Sequence, residues 1–97
     1  MAFVQVIGFR TQKLDEMKQL GDGWQAAIGT DRKARRLVLC RDRDDASRYF
    51  NIVFFDSYED AMKNSNHPAT QDFSKRMMDL ADGEPTFYNL DVVDDQD

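Results

Sequence analysis

Apolar positions change period several times along the chain, and each change marks an element. Phe3-Val4-Gln5-Val6-Ile7-Gly8-Phe9 is β-branched and aromatic and ends at Arg10-Thr11, which predicts a strand. From Gln12 the spacing becomes helical: Leu14, Met17, Gly21, Trp24 and Ile28 recur three or four apart, with Lys13, Asp15, Glu16 and Lys18 between them. Each interior glycine weakens a helix by about 1 kcal/mol relative to alanine, which leaves a break or kink open near Gly21-Asp22-Gly23, with Gly29 as the cap. Leu37-Val38-Leu39-Cys40 and Tyr49-Phe50-Asn51-Ile52-Val53-Phe54-Phe55 read as strands joined by a polar turn, hence as an antiparallel hairpin. Ser57, with Asp60 three residues on, caps a short helix whose Tyr58 and Ala61 are expected to face inward. Asn64-Ser65-Asn66-His67-Pro68 interrupts it, because the residue before a proline disfavours the helical region while proline suits a first helical turn. Ala69, Phe73, Met77 and Leu80 then mark another helix, stopped by Asp82-Gly83-Glu84-Pro85. Thr86 to Val93 reads as the last strand, and residues 94–97 as a flexible acidic tail.

The order β-α-β-β-α-α-β contains no linker and no repeat, so residues 1–97 form one domain. Split β-α-β packing follows, a ferredoxin-like α+β arrangement with the helices on one face of a four-stranded antiparallel sheet. The other face is not built for water. Strand one sets Val4 and Val6 against Phe3, Ile7 and Phe9; strand three sets Ile52 and Phe54 against Val53 and Phe55; strand four sets Phe87 against Tyr88, Leu90 and Val92. In either register several large apolar side chains lie on the helix-free face, as an interface requires. Two sheets facing each other in a homodimer would bury them.

Composition narrows the function classes. In 97 residues, 41% hydrophobic and 11% aromatic content with only two prolines and five glycines excludes a disordered or collagenous chain. A net charge of −5 repels phosphate backbones and anionic lipid, so neither nucleic acid nor a membrane is an expected partner. The lone Cys40 has no partner for an internal disulfide, no apolar run is long enough for a membrane span, and the N-terminus lacks a basic signal-peptide region; a cytoplasmic protein is expected. Asp42-Arg43-Asp44-Asp45 superficially suggests a calcium loop, but Ser47 and Val53 stand where glycine and glutamate are required. The basic run Arg32-Lys33-Ala34-Arg35-Arg36 suits a solvated strand edge. Nucleotide-binding loops, serine-hydrolase elbows and paired metal-ligand spacings are absent, so no metal or cofactor is expected.

The element order, the segment Val53-Phe54-Phe55-Asp56-Ser57-Tyr58-Glu59-Asp60-Ala61, the break at Asn64-Ser65-Asn66-His67-Pro68 and the following helix with Phe73 resemble the dimeric α+β barrel superfamily. Within it the antibiotic-biosynthesis-monooxygenase-like group is nearest. The resemblance implies a homodimeric barrel, with an apolar pocket between sheet and helices in each subunit. Members include cofactor-independent oxygenases of polycyclic aromatics and haem-degrading enzymes. The haem-degrading branch uses a strand-one asparagine, a strand-three tryptophan and a helix histidine, of which only His67 is matched. The oxygenases surround an aromatic substrate with groups such as Asn, Trp, Tyr and Arg, a part open here to Asn51, Tyr49 and Tyr88.

Candidate chemistry is therefore sparse. His67, the only histidine, is expected at a helix mouth, where neutral imidazole can accept a proton or ligate a metal, or simply cap the Pro68 helix or sit at the surface. Trp24, with Met17, Met62, Met77 and Met78, either lines a site for a flat aromatic or lipophilic ligand or packs the core. Asn51 and Tyr88 are the polar groups expected to orient that ligand. A cofactor-independent monooxygenase and a non-catalytic dimeric binding module remain alternatives.

Overall fold

The computed structural model of the chain describes residues 2–96. Four strands, β1 (Phe3–Arg10), β2 (Arg36–Arg41), β3 (Arg48–Phe55) and β4 (Thr86–Asp91), pair in the order β2-β3-β1-β4, every neighbour antiparallel. Three α-helices, α1 (Leu14–Ile28), α2 (Tyr58–Asn66) and α3 (Pro68–Leu80), complete the ferredoxin-like α+β order, with one 3₁₀ turn at Gly29–Asp31. β4 is two residues shorter than expected, although Val92 N–H still donates to the Ala2 carbonyl at 3.0 Å. Residues 94–96 form neither helix nor strand, and the end of the expected tail, Asp97, lies outside the described residues.

Register assigns the two faces. Phe3 lies opposite Phe55, Gln5 opposite Val53, Ile7 opposite Asn51 and Phe9 opposite Tyr49, which places all eight on the helix side. The alternate residues Val4, Val6, Ile52 and Phe54 are half-buried on the helix-free face, with Tyr88 and Leu90 exposed beside them. Arg36 lies over the Phe54 ring at 5.8 Å and Arg48 over Phe50 at 5.0 Å, so two guanidiniums partly cover that face.

Local chemistry sets the helix ends. Ser57 Oγ accepts from Asp60 N–H at 3.1 Å, starting α2. Thr11 is buried, and its Oγ1 donates to the Leu80 carbonyl (2.8 Å) while accepting from Lys13 N–H (3.0 Å), tying the start of α1 to the end of α3. Gly29, at φ 53°, ends α1 in the left-handed region that favours glycine. The break left open at Gly21-Asp22-Gly23 does not occur: α1 runs unbroken through both glycines. Met17, Trp24 and Ile28 are buried on either side of the glycines, and burial of such side chains, worth about 1.5–3 kcal/mol each, exceeds the glycine cost. Tyr58 also departs from expectation: it is 50% exposed, its ring set nearly perpendicular to that of Phe3 at 5.4 Å. Ala61 is fully buried as expected.

The core divides into two clusters. One joins Phe3, Trp24, Ile28, Ala34, Val53, Phe55 and Ala61; the other joins Phe9, Met17, Tyr49 and Met77. Phe73 is half-buried and packs against both.

Candidate functional site

A cavity of about 420 Å³ lies between the sheet and helices α1 and α3, lined by members of both clusters. Its size falls within the range of small-molecule sites. Ile7, Val53, Phe55, Leu37, Leu39 and Phe87 contribute apolar walls from the sheet, and Trp24, Phe73, Met17, Met77 and Met78 contribute them from the helices. Two amides interrupt the sheet floor, Gln5 on β1 and Asn51 on β3. Gln5 Nε2 donates to Asn89 Oδ1 at 3.3 Å, whereas the Asn51 amide has no hydrogen-bond partner among the described residues. Asn51 is half-buried, so its amide presents both donor and acceptor capacity to whatever occupies the space.

Helix side chains fix the opposite wall. Trp24 is 8% exposed, its ring centroid 6.4 Å from that of Phe73, and its Nε1–H donates to Thr70 Oγ1 at 2.8 Å. This bond joins α1 to α3 beside the cavity. Ionisable side chains on the lining are confined to Lys18 and Asp22, both on the exposed flank of α1. The site is thus an apolar slot with neutral hydrogen-bonding groups on its floor. It suits a flat, largely apolar molecule carrying a hydroxyl or carbonyl.

The structure brings together Trp24 and Asn51 but not the other expected site residues. Tyr88 pairs with Val6 on the helix-free face, because β4 meets β1 in the register that turns Phe87, its neighbour, toward the helices. Tyr49 is on the helix side but buried outside the cavity lining, its ring stacked on Phe9 at 5.8 Å and its hydroxyl accepting from Arg41. His67 also lies off the lining. Its Nδ1 accepts from Ala69 N–H at 3.0 Å, capping α3, and its Nε2 stands 3.1 Å from Asp31 Oδ2. An Nδ1 that accepts a backbone N–H carries no proton, so Nε2–H donates to Asp31. Both ring nitrogens are therefore occupied by structural bonds. Of the methionines, Met17, Met77 and Met78 line the cavity, while Met62 packs against the first core cluster. Cys40 pairs with Phe50 on the helix-free side of the sheet, on the face opposite the cavity.

Sequence reasoning passed over Gln5, Gly21 and Thr70 as site residues. Gln5 carried a legible signal, since it is the polar interruption of an otherwise apolar strand on the parity that faces the helices.

No family model matches the chain, and no curated protein matches it in sequence. Solved structures do match it in fold. SnoaB, a cofactor-independent oxygenase from Streptomyces nogalater, superposes with a TM-score of 0.81 at 14% identity, covering 97% of this chain and 95% of that one. A Caulobacter crescentus protein named for the antibiotic biosynthesis monooxygenases gives 0.81 at 16% identity over 96% and 91%. Rv0793 from Mycobacterium tuberculosis gives 0.81 at 11% identity over the whole of both chains. The resemblance to the antibiotic-biosynthesis-monooxygenase-like group of the dimeric α+β barrel superfamily thus holds at the level of the fold.

Proposed function

We propose that the chain binds a small aromatic or lipophilic molecule in the cavity between its helices and sheet, and oxygenates it without a cofactor. The observation that carries this reading is the Asn51 amide, unpartnered among the described residues, on the floor of an apolar slot of about 420 Å³. A neutral amide in an apolar site can hydrogen-bond an enolate or phenolate oxygen, holding the electron-rich form of a substrate that itself reduces dioxygen. Overall, an activated methylene and one molecule of dioxygen become a carbonyl and one molecule of water. The substrate carbon loses two protons and four electrons, and one oxygen atom enters the product while the other leaves as water. SnoaB, similar in fold, is described as a cofactor-independent oxygenase, which supports this class of chemistry for a cavity of this kind.

The assembly belongs to the same proposal. The helix-free face, with Val4, Val6, Ile52, Phe54, Tyr88 and Leu90, is covered by a second copy in a homodimer. Light scattering at micromolar protein then gives twice the 11.3 kDa chain mass.

Anthrone, a three-ring ketone with an activated methylene, tests the reaction directly. Under nitrogen the fluorescence of Trp24, the sole tryptophan, is quenched as anthrone binds; air then yields anthraquinone with one dioxygen consumed per product. Asn51→Leu retains the fold and loses turnover by at least tenfold. Binding without turnover in the parent protein refutes oxygenation of anthrone and favours the second reading, a non-catalytic binding module. That reading draws support from His67, whose ring is committed to capping and to Asp31 rather than to the cavity.

A further inference from the structure

The inward stripe of α1 runs Met17, Gly21, Trp24, Ile28, and position 21 is the one place on it without a side chain. Met17, Trp24 and Ile28 are each at least nine-tenths buried. Gly21 lies between them on the cavity wall, half-buried, yet a Cβ built there meets nothing within 4 Å. Its backbone angle does not demand glycine either, since the positive-φ glycines are Gly29 and Gly83. A glycine in mid-helix with helical angles and free space around it is less stable than alanine at the same place. Nothing in folding accounts for it. The gap it leaves lies between Met17 of one core cluster and Trp24 of the other and opens on the cavity that the Gln5 and Asn51 amides also line, so the missing side chain is part of what hollows the core.

We propose that Gly21 is a specificity-determining residue: its bare backbone reserves room for the far ring of a flat polycyclic ligand, and any side chain there lowers the size limit of the site. The inference rests on the reading of the cavity as a ligand site and adds to it which residue sets the ligand's length. Gly23 supplies an internal control. It too sits in mid-helix with nothing within 4 Å of a built Cβ, but it lines the outer groove between α1 and α3 instead of the cavity. Both glycine-to-alanine changes stiffen α1 equally, and only the one at position 21 adds atoms to the cavity.

The experiment measures binding of two probes, 1-naphthol with two fused rings and anthrone with three, by Trp24 quenching and by isothermal titration under nitrogen. Thermal unfolding is followed by circular dichroism. Gly21→Ala and Gly23→Ala each raise Tm by about 2–8 °C. Gly21→Ala weakens anthrone at least tenfold and leaves 1-naphthol within twofold of the parent, while Gly23→Ala leaves both probes within twofold. Gly21→Leu abolishes anthrone binding, and Gly21→Ala, which meets no neighbour, carries the test alone if the leucine variant fails to fold. Anthrone bound equally by parent and Gly21→Ala overturns the role of Gly21 and leaves the ligand site standing. Equal weakening by Gly23→Ala assigns the effect to helix stiffness and also overturns it. A parent protein that binds neither probe overturns the ligand site and this inference together.

Discussion

The bond from Trp24 Nε1–H to Thr70 Oγ1 is the one side-chain hydrogen bond between α1 and α3 among the described residues, and its strength can be isolated. At 2.8 Å it is short for an N–H···O contact. Thr70→Val removes the acceptor while keeping the side-chain shape, and leaves an indole N–H beside a cavity that water can enter. The expected loss is therefore about 1 kcal/mol, toward the low end for an orphaned donor. Trp24→Phe removes the same bond and also shrinks a ring that is 8% exposed and packed against Phe73, for a total loss of about 2 kcal/mol. If the bond carries about 1 kcal/mol, the double variant loses about 2 rather than 3 kcal/mol, a coupling of about 1 kcal/mol. Urea unfolding followed by circular dichroism gives the four stabilities, with a common m-value as the condition for comparing them. Fluorescence is unsuitable because Trp24→Phe removes the only tryptophan. Additivity of the two losses to within about 0.3 kcal/mol would refute the reasoning, since the helices would then be joined by packing alone.

His67→Ala lowers stability by about 1 kcal/mol through loss of the α3 cap and leaves probe binding unchanged, whereas His67→Asn, a good capping residue, recovers most of the loss; a large fall in probe affinity with unchanged Tm would return His67 to the site. Hydrogen bonding from Arg35, and then its charge, holds the Asp56 carboxyl below its ordinary pKa, so this exposed pair's contribution is present above about pH 4 and lost as pH falls through the lowered value. The Tm difference between parent and Asp56→Asn should accordingly shrink on acidification from about pH 6 to about pH 2, and a difference that grows would contradict that sign. Val6→Asp puts a charge on the helix-free face, converts the proposed dimer to an 11.3 kDa monomer by light scattering and spares the Phe9 cluster on the other side; a dimer mass unchanged from the parent would exclude that face as the interface.

Local period and capping chemistry made the fold legible. Ser57, the His67-Pro68 boundary and Gly29 each act within a few residues of themselves, and the structure uses them as helix ends. The division of β1 and β3 into two faces was equally local, because a strand alternates without reference to its partners. Tyr88 shows where that reasoning stops. Its strand also alternates, but which parity meets the helices depends on how β4 registers against β1, and the pairing of Val6 with Tyr88 turns the hydroxyl away from the cavity.

Gly21 shows the same limit from the helix side. At helical spacing with Met17 and Trp24, a glycine reads as a weak point in the helix, and the break or kink left open there follows from propensity alone. Whether a missing side chain kinks a helix or hollows a core is decided by what faces it. Here Gly21 shares a cavity with the floor where Gln5 neighbours Val53 and Ile7 neighbours Asn51, two amides that the chain separates by 46 positions and only the antiparallel register brings side by side. Large apolar side chains at those positions and at 21 would fuse the two core clusters, at a gain on the order of 1.5–3 kcal/mol for each buried residue. A stabilising alternative of that size was open at three positions on two layers of one cavity. That the chain has glycine and two amides there instead is the physical ground for treating the hollow as a site rather than as a packing fault.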